Sequence, residues 1–360
     1  MQLAPGDPVP MFRALTRDNP SYALDAAAGR YLLLALVADG DDAFIAAVEA
    51  LIANPSRLPT VETLALFGLL RDRQRWAART DHVPFARWML DDNGAATAAF
   101  GLGGWSGWVL IDPSYRVLLT LAAGETARLP EILLQLPPPL LHAGVELPAP
   151  VLVLPRVFEP EFCRTLIAAY EADGGAPSGF MREVDGKTLE IRDPSHKIRR
   201  DLVLSAGPLR DAVRSRIQRR LAPQIARAFQ FLPTRIERDL IACYDAADHG
   251  FFRAHRDNTT KGTAHRRFAV TINLNAEAYS GGDLRFPEFG PRTYRAPTGG
   301  AVVFSCGLLH EALPVTEGKR YAFLPFLYDE AAALVREKNA EHVAIEGYRY
   351  VAKPPAEEAT

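Results

Sequence analysis

Two stretches decide how this chain is read: ACYDAADHGFFRAHRDN (Ala242–Asn258) and GGAVVFSCGLLHEALPVTEGKRY (Gly299–Tyr321). Four residues in them stand out, His255, Asp257, His310 and Arg320. On an extended backbone, residues two apart project to the same side, so His255 and Asp257 can face one point. His310 lies 53 residues beyond Asp257, which leaves room for about three or four ordinary strands to return it beside the pair. Two imidazoles and one carboxylate make a facial triad, the ligand set of non-haem Fe(II) oxygenases, with coordination positions left open. Zinc accepts the same three ligands.

Arg320 separates the two metals. It follows His310 by ten residues, across Pro314–Gly318, which reads as a hairpin-like turn, and it opens an expected strand over Arg320–Leu327. A planar, permanently charged fork beginning an apolar strand calls for a carboxylate partner. An oxidant-generating iron needs a two-electron co-substrate, and a dicarboxylate such as 2-oxoglutarate supplies both a chelate and a distal carboxylate. The expected strand Arg267–Asn275 adds a wall: Phe268, Val270, Ile272 and Leu274 alternate with Ala269, Thr271 and Asn273, and the small, polar face is expected to line the cavity.

With RRFAVTINLN (Arg266–Asn275) and YSGGDLRFPEFG (Tyr279–Gly290) between them, these motifs resemble the prolyl 4-hydroxylase-like branch of the Fe(II)/2-oxoglutarate-dependent dioxygenases. The resemblance spans roughly residues 150–330 and is weaker before 240. It implies a double-stranded β-helix (jelly roll) with His255, Asp257 and His310 as iron ligands and catalytic centre. It further implies Arg320 on the distal carboxylate of 2-oxoglutarate and Tyr244 near the co-substrate. Thr271 and Asn273 are further expected co-substrate contacts, although some relatives carry tyrosine where Asn273 stands. The implied cofactors are Fe(II), 2-oxoglutarate and O2, with ascorbate a candidate reductant. The implied reaction hydroxylates an unactivated C–H bond, of a peptidyl residue such as proline, with release of succinate and CO2. Because Asp257 fills the third ligand position, hydroxylation is expected rather than halogenation. A small-molecule hydroxylase acting on a free amino acid or metabolite is the alternative within this chemistry. A non-catalytic, metal-holding interaction protein is the alternative outside it.

Outward from these motifs the chain divides. Leu129–Pro155 is rich in proline, which removes backbone donors and resists regular structure. The expected organisation is a first domain over 1–136, a linker over 137–150 and an oxygenase domain over 151–360, its jelly roll buttressed by helices at Glu159–Asp173 and Pro208–Phe231. The first part reads β-α-β-α-β-β: strands at Arg30–Val37, Thr60–Leu66, Gly107–Ile111 and Tyr115–Leu121, and a helix at Asp41–Asn54. Its stretches LAPGDPVPMFRALTRD, GRYLLLALVAD, FARWMLDDNGAATAAFGL and GWVLIDPSYRVLLTL resemble a peroxiredoxin, which implies a thioredoxin-like α/β fold. The peroxidatic cysteine of that family would follow the strand ending near Val37, where this sequence reads ADGDDAF. No cysteine precedes Cys163, and without a thiolate the thiol-peroxidase chemistry is missing.

The totals agree with an ordinary globular chain: 360 residues, 48% hydrophobic, 23% charged, formal net charge −2. Residues 1–150 carry 11 arginines against 16 carboxylates, and the remainder is net positive. Near-neutral charge speaks against a nucleic-acid partner. The longest apolar run, Tyr31–Ala38, is too short for a membrane span. No signal peptide is visible at the amino terminus, and three unpaired-looking cysteines suit a reducing cytoplasm. The expected partner is a peptide, protein or small-molecule substrate, and the oligomeric state is left open. Kinase loops also contain His-Arg-Asp, but no Asp-Phe-Gly or glycine-rich phosphate loop accompanies it here. The arginines crowding the motif (Arg253, Arg256, Arg266 and Arg267, with Lys197, Arg199 and Arg200) read first as a salt-bridged face. The sharper reading has some of them receiving an acidic substrate at the rim. His265 reads as a loop residue near the mouth.

Overall fold

The structure is a computed structural model that describes residues 3–101, 104–344 and 348–352. The described residues form two compact units. One is built from the chain up to Ala149 together with Phe286–Arg292; the other comprises Pro150–Arg285 and the chain from Thr293 onward.

The first unit is a five-stranded mixed sheet in the order Ala86–Leu90, Leu64–Leu70, Tyr31–Leu36, Gly107–Ile111, Val117–Ala122. The first three strands run parallel; Gly107–Ile111 is antiparallel to Tyr31–Leu36, and Val117–Ala122 to Gly107–Ile111. The central strands are buried on both faces, which explains their unbroken apolar text. The helix Asp42–Ile52 crosses over the sheet, capped by the Asp41 carboxylate, which accepts from the Phe44 N–H at 2.9 Å. Phe44 packs edge-on against fully buried Trp108, ring centroids 5.2 Å apart. This is the thioredoxin-like fold. All three cysteines are buried and lie in the other unit.

Three expectations shift. The strand read at Thr60–Leu66 runs over Leu64–Leu70, because Thr60–Thr63 closes a turn in which the Thr63 N–H donates to the Thr60 carbonyl at 2.9 Å. The final strand begins at Val117, since Tyr115 sits in a turn with φ +65°. Ala86–Leu90 is a strand that its own text does not announce, because Arg87 breaks the short apolar run.

The second unit contains two main sheets and a separate hairpin, Phe180–Val184 with Lys187–Ile191. The larger runs Arg235–Glu237, Phe326–Tyr328, Phe268–Asn273, Val315–Phe323, Leu240–Asp245, Arg200–Val203, Ala176–Pro177, with Ala301–Ser305 also pairing to Phe268–Asn273. The smaller runs Lys197–Ile198, Phe251–His255, His310–Ala312, Leu284–Arg285, Thr293–Tyr294. Together they make a double-stranded β-helix. Period-two alternation divides the larger sheet's faces. Ile241, Cys243, Val270, Ile272, Tyr321 and Phe323 join Leu166, Val213, Ile217, Leu221 and Ile225 of the helices in one core. Tyr244, Ala269, Thr271 and Arg320, on the alternate positions, line a cavity.

The helices sit close to expectation at Pro160–Asp173 and from Pro208, but the second is not continuous. Pro208–Arg216 passes through a π turn, Ile217–Leu221, before Ala222–Phe229. Pro223 lacks an N–H and its ring would collide with the preceding turn's carbonyl, so the helix widens there. Pro314–Gly318 is likewise no free hairpin turn. The strand starts at Val315 and pairs with Tyr279–Gly281, so Arg320 stands within it rather than at its start. Pro325 interrupts the expected run to Leu327, and the chain resumes as Phe326–Tyr328.

Candidate active site

His255 ends one strand of the smaller sheet and His310 begins its neighbour, and the two are register partners. Asp257 follows in the turn, its N–H donating to the Cys306 carbonyl at 3.0 Å. The three side chains offer ligand atoms that all lie within 4.8 Å of one another. His255 Nε2 is 3.5 Å from Asp257 Oδ1, and His310 Nε2 is 3.3 Å from Oδ2.

The outer nitrogens are tied down. His255 Nδ1 donates to the Arg253 carbonyl at 2.7 Å, and His310 Nδ1 to the Leu308 carbonyl at 3.0 Å. A carbonyl can only accept, so each Nδ1 carries the proton and each Nε2 lone pair points inward. Phe252 stacks on His255, ring centroids 3.6 Å apart, and Phe304 lies against His310. Burial pushes the His310 imidazolium down to about 4, which keeps the ring neutral at pH 7. Burial alone would raise the Asp257 carboxyl, but His310 and His255 outweigh it, and its pKa falls well below the usual carboxylate range. Two imidazoles beside an ionised carboxylate are the ligand set that Fe(II) takes with coordination positions left open.

The triad lines a cavity with Tyr244, Thr271 and Arg320 from the larger sheet and with Phe252, Leu284, Phe304, Leu324 and Phe326 as apolar walls. Arg320 is only 2% exposed, and its Nε and Nη1 have no hydrogen-bond partner among the described residues. Its guanidinium lies over the Tyr244 ring at 4.9 Å. Leaving a buried cation's donors unpaired is expensive. The donors therefore fit a ligand carboxylate, and the residues present suit both Fe(II) and 2-oxoglutarate.

Of the residues expected from sequence, the structure brings His255, Asp257, His310, Arg320, Tyr244 and Thr271 around one cavity. Asn273 is not among its lining residues: it is buried, and its Nδ2 donates to the Ala296 carbonyl at 2.6 Å. His265 is not at a mouth. It is buried with Nε2 2.6 Å from Glu237, which also binds Arg266, and Arg266 in turn reaches the Asp257 carbonyl at 3.3 Å. Arg199 and Arg238 also line the cavity. The sequence reading passes over Arg238, because an Arg-Asp pair ahead of an apolar strand looks like any solvated strand entry.

The family model described as the 2OG-Fe(II) oxygenase superfamily matches residues 240–328, a window that holds Tyr244, the triad and Arg320. A PKHD-type hydroxylase of Pseudomonas fluorescens is 34% identical over 123 residues, 32% of this chain and 52% of that protein, so the chain spans about half that relative's length. A PKHD-type hydroxylase of Bordetella pertussis is 31% identical over 175 residues, 45% of this chain and 73% of that protein. Among solved structures, a prolyl-4-hydroxylase from Pseudomonas putida is similar over 50% of this chain and 94% of its own, with 19% identity and a TM-score of 0.39. Identity of that level, carried across nearly three quarters of the Bordetella protein, means that this chain belongs to the PKHD-type hydroxylases, 2-oxoglutarate-dependent dioxygenases of the 2OG-Fe(II) oxygenase superfamily.

Proposed function

We propose that this chain hydroxylates an unactivated C–H bond, of a peptidyl residue such as proline, with release of succinate and CO2. In this reading His255, Asp257 and His310 hold Fe(II), and Arg320 holds the distal carboxylate of 2-oxoglutarate. The observation that carries it is the buried, unpartnered edge of Arg320 opening into the cavity that the triad lines. When bound, Fe(II) couples O2 reduction to oxidation of the co-substrate and substrate.

The protein's own contribution is positioning and exclusion. The carbonyls of Arg253 and Leu308 fix both imidazoles in the ligating tautomer. Tyr244 supports the guanidinium of Arg320 from beneath, and Thr271 offers a hydroxyl on the same wall. Phe252, Phe304 and Phe326 keep the surroundings apolar, which strengthens charge pairing inside and limits stray water. A free amino acid or metabolite is the second reading: apolar walls with a few convergent polar groups are the usual lining of a site for one small ligand.

The test is succinate formation from 2-oxoglutarate by the full chain supplied with Fe(II), without added substrate. Slow uncoupled turnover is expected, and His255→Ala abolishes it. Absence of 2-oxoglutarate turnover with every substrate offered would defeat the proposal.

A further inference from the structure

Nearly every arginine around the motif has an internal partner. Arg199 grips Asp201 through two bonds of 2.7 and 2.6 Å. Arg266 holds Glu237 at 3.0 and 2.6 Å. Arg253 donates to the Ser195 carbonyl, Arg256 to that of Gly307, and Arg267 to that of Ala264. Arg199 and Arg266 are neutralised by these carboxylates, and Arg253, Arg256 and Arg267, held by neutral carbonyls, are not among the residues that line the cavity.

Arg238 differs. It is half-buried and lines the same cavity as the triad and Arg320. Among the described residues it has neither a hydrogen bond nor an ion pair; its only specific neighbour is the Phe326 ring at 5.6 Å. Its backbone adopts φ +68°, a left-handed conformation unfavourable for a residue with a side chain. Burial, followed by the like charge of Arg266, lowers its pKa below the ordinary arginine value. Glu237 and Asp201 are its nearest acids by electrostatic effect, and both are already committed to other cations.

Charge accounting gives this residue a task. Fe(II), dianionic 2-oxoglutarate, the Asp257 carboxylate and the Arg320 cation would neutralise one another, and Arg199 is neutralised by Asp201. One positive charge remains at the cavity, on Arg238. A planar fork with unmatched donors beside a low-dielectric wall recognises a carboxylate best. We infer that Arg238 is a specificity residue that receives a carboxylate carried by the substrate, close to the carbon that reacts. This rests on the oxygenase reading above.

The experiment uses the full chain loaded with Mn(II), as an inert substitute for Fe(II), and 2-oxoglutarate. Calorimetry compares two probe pairs that differ only in charge: N-acetyl-proline against its amide, and acetyl-Pro-Asp-amide against acetyl-Pro-Asn-amide. In at least one pair the acid binds about ten-fold or more tightly than its neutral partner, the scale of one charge-assisted hydrogen bond. Preference within the first pair places the carboxylate on the reacting unit; preference within the second places it on a neighbouring side chain. Arg238→Gln reduces the preference to within about two-fold, and Arg238→Lys retains part of it. Indifference of the wild-type chain in both pairs overturns the inference, as does a preference that survives Arg238→Gln. An Arg238→Gln chain that instead loses 2-oxoglutarate affinity also overturns it, by assigning the residue to the co-substrate. Failure of the oxygenase reading would be seen separately, as absent succinate formation by the wild-type chain supplied with Fe(II).

Discussion

At Arg320 a single side chain is asked to be unstable alone and stable in company. Its buried Nε and Nη1 lack partners among the described residues, a state that costs at least about 1–3 kcal/mol until an acceptor arrives. Arg320→Met removes the cation and the unpaired donors together. We expect the ligand-free variant to melt no lower than wild type, while the upward shift that 2-oxoglutarate gives the Mn(II)-loaded wild type is lost. Differential scanning fluorimetry with and without 2-oxoglutarate measures both. A variant that is destabilised in the free state yet still shifted by 2-oxoglutarate would show the arginine to be structural. The same contrast explains which residues sequence can expose. His255, Asp257, His310 and Arg320 are legible because their chemistry is strange in or just beside an apolar strand: each is polar where an apolar side chain would bury more easily. Arg238 is not legible, because its oddity is the lack of a partner, and only three-dimensional placement reveals that.

Among the elements, the turn after Tyr279–Gly281 governs how Arg320 is held. Gly282 has φ +70°, and a Cβ there would come within 2.8 Å of Val315 Cγ2 and 3.1 Å of Arg320 Cδ. Gly282→Ala therefore adds backbone strain of about 1 kcal/mol and presses on the arginine stem. The Kd for 2-oxoglutarate should rise about three- to ten-fold with metal affinity unchanged, as titration calorimetry can show. An unchanged 2-oxoglutarate Kd would mean that the strand absorbs the added methyl. Element types are readable wherever period-two alternation is clean, as in Phe268–Asn273, and wherever a run is wholly apolar, as in Tyr31–Leu36. Boundaries are not, because they depend on partners far along the chain. Val315–Thr316 reads as a turn until Tyr279–Gly281 is seen to pair with that strand, and Ala86–Leu90 becomes a strand by adding to the edge of Leu64–Leu70. Tertiary pairing overrides local text in both cases.

For the molecule as a whole, the two units carry opposite net charges and unequal chemistry: the first has no thiol, and the second keeps its three buried. No helix among the described residues is long and apolar enough to cross a membrane. One buried charge sets a pH response for the whole chain. Lys197 is 5% exposed, donates to Ser178 Oγ at 2.7 Å, and faces the Phe252 ring at 4.8 Å. Burial, then the neighbouring Arg199, pushes its pKa down to about 6. An unfolded lysine titrates near its ordinary value of about 10.4, so between these values the unfolded chain binds more protons than the folded one, and stability rises with pH. The slope contributed is at most about 1.4 kcal/mol per pH unit. Urea unfolding at pH 7, 8 and 9 should show wild type gaining stability and Lys197→Met gaining less. Parallel curves would mean that the ammonium finds solvent or a counter-ion in the folded state.

The carbonyl tethers on His255 and His310 bear on when the metal arrives. Both rings are oriented by backbone carbonyls two residues away, so in the proposed site the ligating nitrogens are set by the fold and not by the ion. A chelator-treated chain is then expected to take iron back without unfolding, and occupancy, more than folding, would follow the supply of iron.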